Sequence, residues 1–357
     1  MRAASSFATA LLAVLPACLL PAVPAAARCR VDTPRQLISI DNDVFTGTGS
    51  DSSYTSGVRL ERFAGPDSPG TPLDDWVERL AGDGLDERCT PQDHAGGGLR
   101  SWYAAQEIYT PREIRVAAPQ PNDRPWAGAL YAGRSWEAVG WRDGRLLMRR
   151  IEVAAGVIGD ASLARETQRA VHRLLDTRTP RGWDNQLRNQ FAVALRYLAR
   201  QRWGDDRRDL IVHYGGVLAS AMGYANAGAT VRYGRLGCEL ASPGVVPHVL
   251  RISGRPWTNG GDACAADSTR LRYYGFVGVD LRAVGWNRLI DGAPRRGSSH
   301  VEAVHAVGDV RVGAAIGGRS WSIIYTASRR SREFQVPGLP RVPPSSYAGV
   351  TLSLDWP

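Results

Sequence analysis

The sequence predicts an all-β fold, a 12-stranded antiparallel transmembrane β-barrel with one short helix in the third extracellular loop. Segments that alternate apolar and polar side chains recur along the whole chain and number twelve, the even count typical of bacterial barrels. The last segment carries Trp356 next to the end of the sequence. Strands with one apolar side and aromatic ends fit a barrel with lipid outside and a polar interior. A soluble periplasmic β-sandwich shows similar alternation and is the structural alternative.

The predicted strands lie near 37–45, 54–64, 99–108, 127–138, 146–156, 190–202, 207–217, 225–235, 272–284, 302–316, 319–330 and 346–356. In the second strand, Val58 and Leu60 are expected to face one way and Thr55, Gly57, Arg59 and Glu61 the other. With the amino terminus in the periplasm, the extracellular loops are 46–53, 109–126, 157–189, 218–224, 285–301 and 331–345. The long periplasmic connections are then 65–98 and 236–271.

The first 27 residues have the features of a secretory signal peptide. Arg2 gives the positive end, 7–20 the apolar run, and 25–27 a small-residue cleavage site. Residues 28–357 are therefore expected to form one outer-membrane barrel domain. The net charge of +9 does not indicate nucleic acid in an exported protein. An anionic surface such as a phosphorylated glycolipid is the more natural partner, and no obligate protein partner is predicted.

Four cysteines remain after the signal peptide, Cys29, Cys89, Cys238 and Cys264. They are even in number, far apart and without the paired spacing of a zinc site, which favours disulfides in an exported protein. Three pairings are possible, and all four residues fall on the periplasmic side. We expect Cys29–Cys89 and Cys238–Cys264, because each bond would staple one periplasmic segment.

The strongest helix signal lies within 157–189, where Asp160 or Ser162 is expected to cap the start and Pro180 and Gly182 to end the helix. Its predicted apolar stripe consists of residues three and four apart, Leu163, Thr167, Ala170, Val171 and Leu174. His172 stacks with Ala164 and Gln168 on the flank of this stripe, which would leave the imidazole half sheltered. One histidine on one helix among many strands favours a functional role.

Oxygen-bearing side chains gather at the outer end of the first hairpin. Asn42 and Asp43 end the first strand, and Thr55 opens the second after a Gly- and Ser-rich loop. Carboxylate, amide and hydroxyl oxygens are hard ligands suited to calcium. An Asn-Asp pair before such a loop is also common in ordinary turns.

The next extracellular loop supplies candidate substrate-binding residues, Tyr109, Arg112, Arg115 and Arg124. A guanidinium group matches a phosphate with two hydrogen bonds, so these arginines could hold the phosphates of a glycolipid. The alternative is that they only place positive charge at the membrane surface.

Several motifs, in order along the chain, resemble the outer-membrane lipid A 3′-O-deacylase family. They are ISIDNDVF (38–45), SYTSGVRL (53–60), QEIYTPREI (106–114), NDRPWAGALY (122–131), GVIGDASL, QRAVHRLL and GWDNQLRN within 156–189, FVGVDLRAVGWNRLIDG (276–292) and SRRSREF (328–334). The resemblance covers the chain from about residue 37 to its end.

The resemblance implies a twelve-stranded barrel whose active site lies between its outer wall and the helix of the third outer loop. It implies that His172 is the general base, that Asn42, Asp43 and Thr55 lie at the calcium and oxyanion side, and that the substrate is lipid A or lipopolysaccharide. The implied mechanism is similar to that of secreted phospholipase A2, in which calcium polarises the ester and histidine activates water.

One position departs from the family pattern. Members of the family can carry a glutamate six residues after the histidine, whereas this chain has Arg178, which cannot bind calcium. Asp184 is the expected substitute metal ligand, with Asp176 as the alternative. The rival interpretation is a catalytically silent barrel, a pore or an adhesin, that keeps the same scaffold.

Overall fold

The structure is a computed structural model of the chain. It describes residues 30–32, 36–46, 53–64, 69–88, 90–91, 99–236, 239–242, 248–253, 271–292, 301–318, 320–338 and 342–354. The predicted signal peptide at 1–27 and all four mature cysteines lie outside the described residues, so those expectations stay predictions.

Twelve long strands form the body of the protein. They are β1 Gln36–Asn42, β2 Ser53–Phe63, β3 Leu99–Thr110, β4 Ala127–Arg142, β5 Arg145–Ile158, β6 Gln190–Gly204, β7 Arg208–Ala219, β8 Met222–Arg235, β9 Arg272–Asn287, β10 Ala306–Gly317, β11 Trp321–Arg330 and β12 Ser345–Leu354. In the described parts of the connections there are three α-helices, α1 Pro72–Gly82, α2 Ala164–Leu174 and α3 Arg288–Asp291.

Each strand pairs antiparallel with the next, and β12 pairs with β1 through Leu354↔Gln36 to Ala348↔Asn42, so the sheet closes. The predicted twelve-stranded antiparallel barrel is therefore confirmed. All twelve predicted strands are present, with ends that differ by a few residues. The main difference is in the first, which stops at Asn42 because Asp43–Thr46 turns into a 3₁₀ helix.

Among the described residues, no helix is long and apolar enough to cross a membrane.

The barrel interior is filled by charged side chains that neutralise one another. Arg150 makes ion pairs with Glu61 and Glu152, both at 2.6 Å, and Arg59 reaches the same two carboxylates at 3.0 and 2.8 Å. Arg196 adds a contact of 3.2 Å to Glu152. A buried charge is tolerated only when it is paired, so these strands present charge inward and apolar side chains such as Leu60 outward.

A small sheet lies at the end of the barrel where β1 begins and β12 ends. Arg30–Asp32 pairs with His248–Ser253 on one side and with Thr90–Pro91 on the other, and His248–Ser253 continues to Glu239–Ser242. This sheet joins the two long connections that we expected to be separate. Because the two connections are joined, their expected separation no longer favours one disulfide pairing over another.

Candidate active site

Helix α2 lies in the connection between β5 and β6, as predicted. The residues at which it begins and ends differ from the predicted ones. Asp160–Ser162 forms its own 3₁₀ turn, and the N-cap is Leu163, whose φ of 58° is left-handed and whose side chain makes no capping bond. The expectation that Asp160 or Ser162 caps the helix is therefore wrong. The helix ends at Leu174, well before Pro180, and Asp176 follows with a φ of 51°.

The face of α2 that is buried is also different from the predicted one. Ala164, Gln168 and His172 are the buried residues of the helix, whereas Val171 is exposed and Leu174 is 84% exposed. The predicted apolar stripe thus points away from the protein and the predicted flank points into it. His172, 7% exposed, is more sheltered than the sequence indicated.

The buried face of α2 lies against the outer wall of the barrel at β3 and β4. Gln106 on β3 donates from Nε2 to the carbonyl of Ser162 at 2.7 Å. On β4, Gly128 leaves no room for a Cβ, since that atom would collide with Ser162 and Ala164. The helix can therefore approach the wall closely only because position 128 is glycine.

Two buried tryptophans hold the helix and its return segment in place. Trp183 Nε1 donates to Gln168 Oε1 at 2.8 Å, and its ring lies 4.9 Å from that of Trp126, at an interplanar angle of 55°. Both rings pack with Ala164 and with Ile108 of β3 in one apolar cluster. A buried tryptophan needs a partner for its N–H, so Gln168 fixes the rotation of α2 and with it the direction of His172.

The imidazole of His172 is oriented by a backbone carbonyl. Its Nδ1 lies 2.6 Å from the carbonyl oxygen of Arg178. A carbonyl oxygen only accepts hydrogen bonds, so Nδ1 carries a proton, and in the neutral imidazole the lone pair is then on Nε2. This is the tautomer in which Nε2 can take a proton from water.

The same contact shows what position 178 contributes. The bond uses the main chain, and the Arg178 side chain is exposed. We expect Arg178→Ala to change any rate that depends on His172 by less than about twofold, the effect of ~0.5 kcal/mol that is usual for surface substitutions. Steady-state rates of both Arg178→Ala and Arg178→Glu would test this, and a large gain with glutamate alone would instead show that the side chain at 178 acts in the reaction.

A β-bulge places Thr55 on the outer wall. The register between β2 and β3 shifts between Tyr54 and Ser56, which makes Thr55 the extra residue. Its Oγ1 lies 2.7 Å from Oγ1 of Thr110, while Tyr54 turns into the lumen, where its hydroxyl donates to Asp41 at 3.3 Å. The expectation that Thr55 shares a side with Gly57 is therefore wrong, because a bulge reverses the alternation.

Asn42 and Asp43 lie at the outer end of β1, next to the bulged end of β2. Ser39 bonds to Thr351 and Asp41 lines the lumen, so the alternation puts Asn42 on the outer side. The Asn42 Oδ1 accepts from the backbone N–H of Val44 at 2.8 Å. Asp43 is fully buried within its 3₁₀ turn.

The four predicted substrate-binding residues divide into two pairs. Tyr109 and Arg124 line the lumenal cavity at the mouth of the barrel, where the guanidinium carbon of Arg124 lies 4.5 Å from the centre of the Tyr109 ring. Arg112 and Arg115 are exposed on the connection between β3 and β4. Only the second pair is therefore placed where a ligand outside the barrel could reach it.

Arg124 is held in the lumen by a carboxylate of another connection. Its guanidinium lies 3.4 Å from Glu333, which also contacts Arg330 at 3.1 Å. Burial raises the pKa of the Glu333 carboxyl, but Arg330 and Arg124 lower it further than burial raises it, and the net pKa lies below its ordinary value. The three side chains thus tie two extracellular connections together across the barrel mouth.

Asp184 lies near the start of α2, where its carboxylate is 3.2 Å from the guanidinium of Arg165. On the helix, His172 follows Arg165 by seven residues, which is roughly 10 Å along the helix axis. The described residues include no group of three or more histidine, cysteine or acidic side chains able to hold a metal. Asp184 as a metal ligand remains a prediction.

Sequence reasoning did not assign three residues that build this region. Thr110 pairs with Thr55, Gln168 positions α2 through Trp183, and the carbonyl of Arg178 orients His172. The available signal was the polar Gln168, which lies four residues after Ala164 and four residues before His172. A backbone carbonyl leaves no signal, because every residue has one.

Comparison with known proteins agrees with the fold. The family model described as outer membrane protein LpxR matches residues 11–356. The solved structure of LpxR from Salmonella typhimurium is similar, with a TM-score of 0.65, 19% sequence identity, and coverage of 90% of this chain and 99% of that one. The β domain of the Bordetella autotransporter BrkA aligns with a TM-score of 0.34 and 10% identity, over 91% of this chain and 99% of that one. Among curated proteins, no sequence matches significantly.

The closed barrel with an external helix held against its wall defines this chain as an integral outer-membrane β-barrel protein. Its family model spans nearly the whole chain. The chain belongs to the LpxR family of outer-membrane proteins.

Proposed function

We propose that the protein is an outer-membrane ester hydrolase that removes the 3′-O-linked acyloxyacyl chain of lipid A. Membership of the LpxR family supports the substrate class. The observation that carries the proposal is the orientation of His172, whose Nδ1 bonds to the Arg178 carbonyl on the face of α2 that packs against the barrel wall.

His172 acts as the general base in this proposal. Nε2 takes a proton from a water molecule as the water oxygen attacks the ester carbonyl carbon. The tetrahedral intermediate then breaks its bond to the sugar oxygen, and the imidazolium returns the proton to that leaving oxygen. The products are the free acyloxyacyl acid, with its secondary ester intact, and the 3′-hydroxyl, so no covalent enzyme intermediate is needed.

Calcium is the proposed cofactor, with Asn42 and Asp43 as ligands. The local donors are oxygen atoms of a carboxylate, an amide and the Thr55 and Thr110 hydroxyls, which fit a hard cation in chemical type. With only one of these donors charged, backbone carbonyls, water or Asp184 would complete the ligand set. Bound calcium would polarise the ester carbonyl and stabilise the oxyanion.

The arginines have separate roles in the proposal. Arg112 and Arg115 face the outside, where their guanidinium groups could pair with the phosphates of lipid A. Tyr109 and Arg124 support the same connection from inside the barrel. They would therefore affect substrate binding indirectly, by fixing the residues that carry Arg112 and Arg115.

Removal of calcium is expected to abolish hydrolysis and leave the barrel folded. The ion would serve only the oxyanion, while the closed strand ladder holds the fold. Activity on purified lipopolysaccharide should disappear in excess chelator and return with added calcium, with unchanged heat-modifiable migration on gels. Full activity in chelator would remove Asn42 and Asp43 from the roles proposed for them.

Mass spectrometry of lipid A from cells with and without the protein tests the activity itself. Loss of the 3′-linked acyloxyacyl chain only in cells that produce the protein is the expected result. Unchanged lipid A in both strains, and with purified protein supplied with calcium, would favour the silent-barrel interpretation. The charged network in the lumen argues against a wide pore as that alternative.

A further inference from the structure

Helix α1 lies in the long connection between β2 and β3, at the end of the barrel opposite α2. Its start is well defined, because Thr71 and Asp74 form a capping box in which each side chain bonds to the other's backbone N–H, at 3.3 and 2.8 Å. Pro72 occupies the first turn, where its missing N–H costs nothing.

The helix lies on the outside of the barrel. Asp74 accepts a hydrogen bond of 2.7 Å from Trp136 Nε1 and makes an ion pair of 2.6 Å with Arg134. Between these two residues on β4, Ser135 turns inward and bonds to Ser101 in the lumen. Side chains alternate along a strand, so Arg134 and Trp136 face outward, on the side that the barrel presents to lipid.

Further polar contacts fix α1 along its length. Arg100 of β3 reaches Glu78 at 3.3 Å, and Arg88 donates to the Glu78 carbonyl at 3.0 Å. Arg149 of β5 donates to the carbonyls of Ala81, at 3.3 Å, and Asp83. The helix is therefore a rigid part of the outer wall.

Around its axis α1 has three different faces. The face against the barrel buries Asp74, Val77, Glu78 and Ala81. A second face exposes three large apolar side chains at positions i, i+3 and i+7, Leu73 at 58%, Trp76 at 57% and Leu80 at 53%. A third face exposes Asp75 and Arg79. An apolar face beside a charged one is the pattern of a helix that lies in a membrane interface.

We propose that α1 lies in the periplasmic leaflet of the outer membrane, with Leu73, Trp76 and Leu80 in contact with the acyl chains of its phospholipids. The surface next to the helix is already lipid-facing, since Trp102 of β3 is exposed there and stacks with Arg134 at 4.6 Å. Tryptophan is enriched at membrane interfaces. The exposed apolar face of α1 thus continues the lipid-facing wall, which decides for lipid over a soluble partner.

Site-specific photocrosslinking in phospholipid vesicles tests this placement. Benzoylphenylalanine would replace Leu73, Trp76 or Leu80 on the apolar face, and Asp75 or Arg79 as matched controls on the same helix. Mass spectrometry should find phospholipid adducts at the first three positions and little or none at the controls, in protein whose heat-modifiable migration is normal. Equal lipid labelling on both faces, or adducts only to a second copy of the chain, would overturn the proposal.

A milder substitution gives an independent measurement. In vesicles whose phospholipids carry bromine on the acyl chains, Trp76→Phe should lower the part of the tryptophan fluorescence that the bromine quenches. If bromine quenches the same amount of fluorescence in Trp76→Phe as in the native protein, Trp76 does not contact acyl chains. That result would overturn the proposal even if the crosslinking variants failed to fold.

Discussion

Replacement of His172 by glutamine is expected to lower the hydrolytic rate by roughly 10²-fold or more, the usual scale for loss of a positioned general base. Glutamine has a similar size, so the packing of α2 against β3 and β4 should be preserved. Expression, heat-modifiable migration and calcium binding should stay as in the native protein, because a helix outside the strand ladder adds little to barrel stability. Rates on lipopolysaccharide at saturating calcium would give the measurement.

His305 provides a matched control for this variant. Its Nδ1 also lies next to a backbone carbonyl, that of Val284 at 2.8 Å, but its side chain is exposed and distant in sequence from α2. His305→Gln should leave the rate unchanged. A rate for His172→Gln close to that of the control would rule out His172 as the base.

The pH profile distinguishes a general base at position 172 from a side chain that only packs there. A base must be neutral to accept a proton, so native activity should rise with pH as the imidazole loses its proton. In His172→Gln the residual activity should lack this rise. Persistence of the same rise in the variant would point to another titrating group.

Asp43→Asn is the second substitution with a large expected effect. Loss of the only carboxylate in the proposed ligand pair should weaken calcium binding and lower the rate by roughly 10²-fold at moderate calcium, since a bound metal supplies several kcal/mol of oxyanion stabilisation. A calcium titration should shift to higher concentration and recover part of the rate. A purely structural role for the buried Asp43 would give a loss that calcium does not relieve.

Asp41→Asn is the matched control for this experiment. Asp41 lies two residues earlier on the same strand, but its side chain lines the lumen and accepts from Tyr54. Neutralising it should alter neither the calcium titration nor the rate. Equal calcium shifts in both variants would indicate a general effect of charge at the end of β1, and Asp43 would lose its assignment as a ligand.

Alternation along the chain was sufficient to predict the twelve strands and their neighbours. Each barrel strand is constrained independently by lipid on one side and by the lumen on the other, so its pattern is local. The same local pattern failed at Thr55, because one extra residue in β2 reverses which side each neighbour faces. The bulge exchanged the positions of Tyr54 and Thr55 between lumen and outer wall.

Helix α2 shows a second limit of sequence patterns. The spacing of Leu163, Val171 and Leu174 predicted the helix but assigned the wrong face to the interior. Periodicity identifies residues that share a face, but it does not say which surface that face meets. The close approach at Gly128 and the bond from Trp183 to Gln168 decide the rotation of α2.

The sequence by itself determined the barrel and the position of the external helix, because these depend on local periodicity. Short motifs along the chain were sufficient to identify its family and the candidate residues. Only the tertiary structure decided that Tyr109 and Arg124 face the lumen, that Thr55 and Thr110 meet on the outer wall, and that His172 carries its proton on Nδ1. Those outcomes depend on contacts between strands and connections far apart in the chain. The direction of a side chain at such a contact is set by the neighbour it meets.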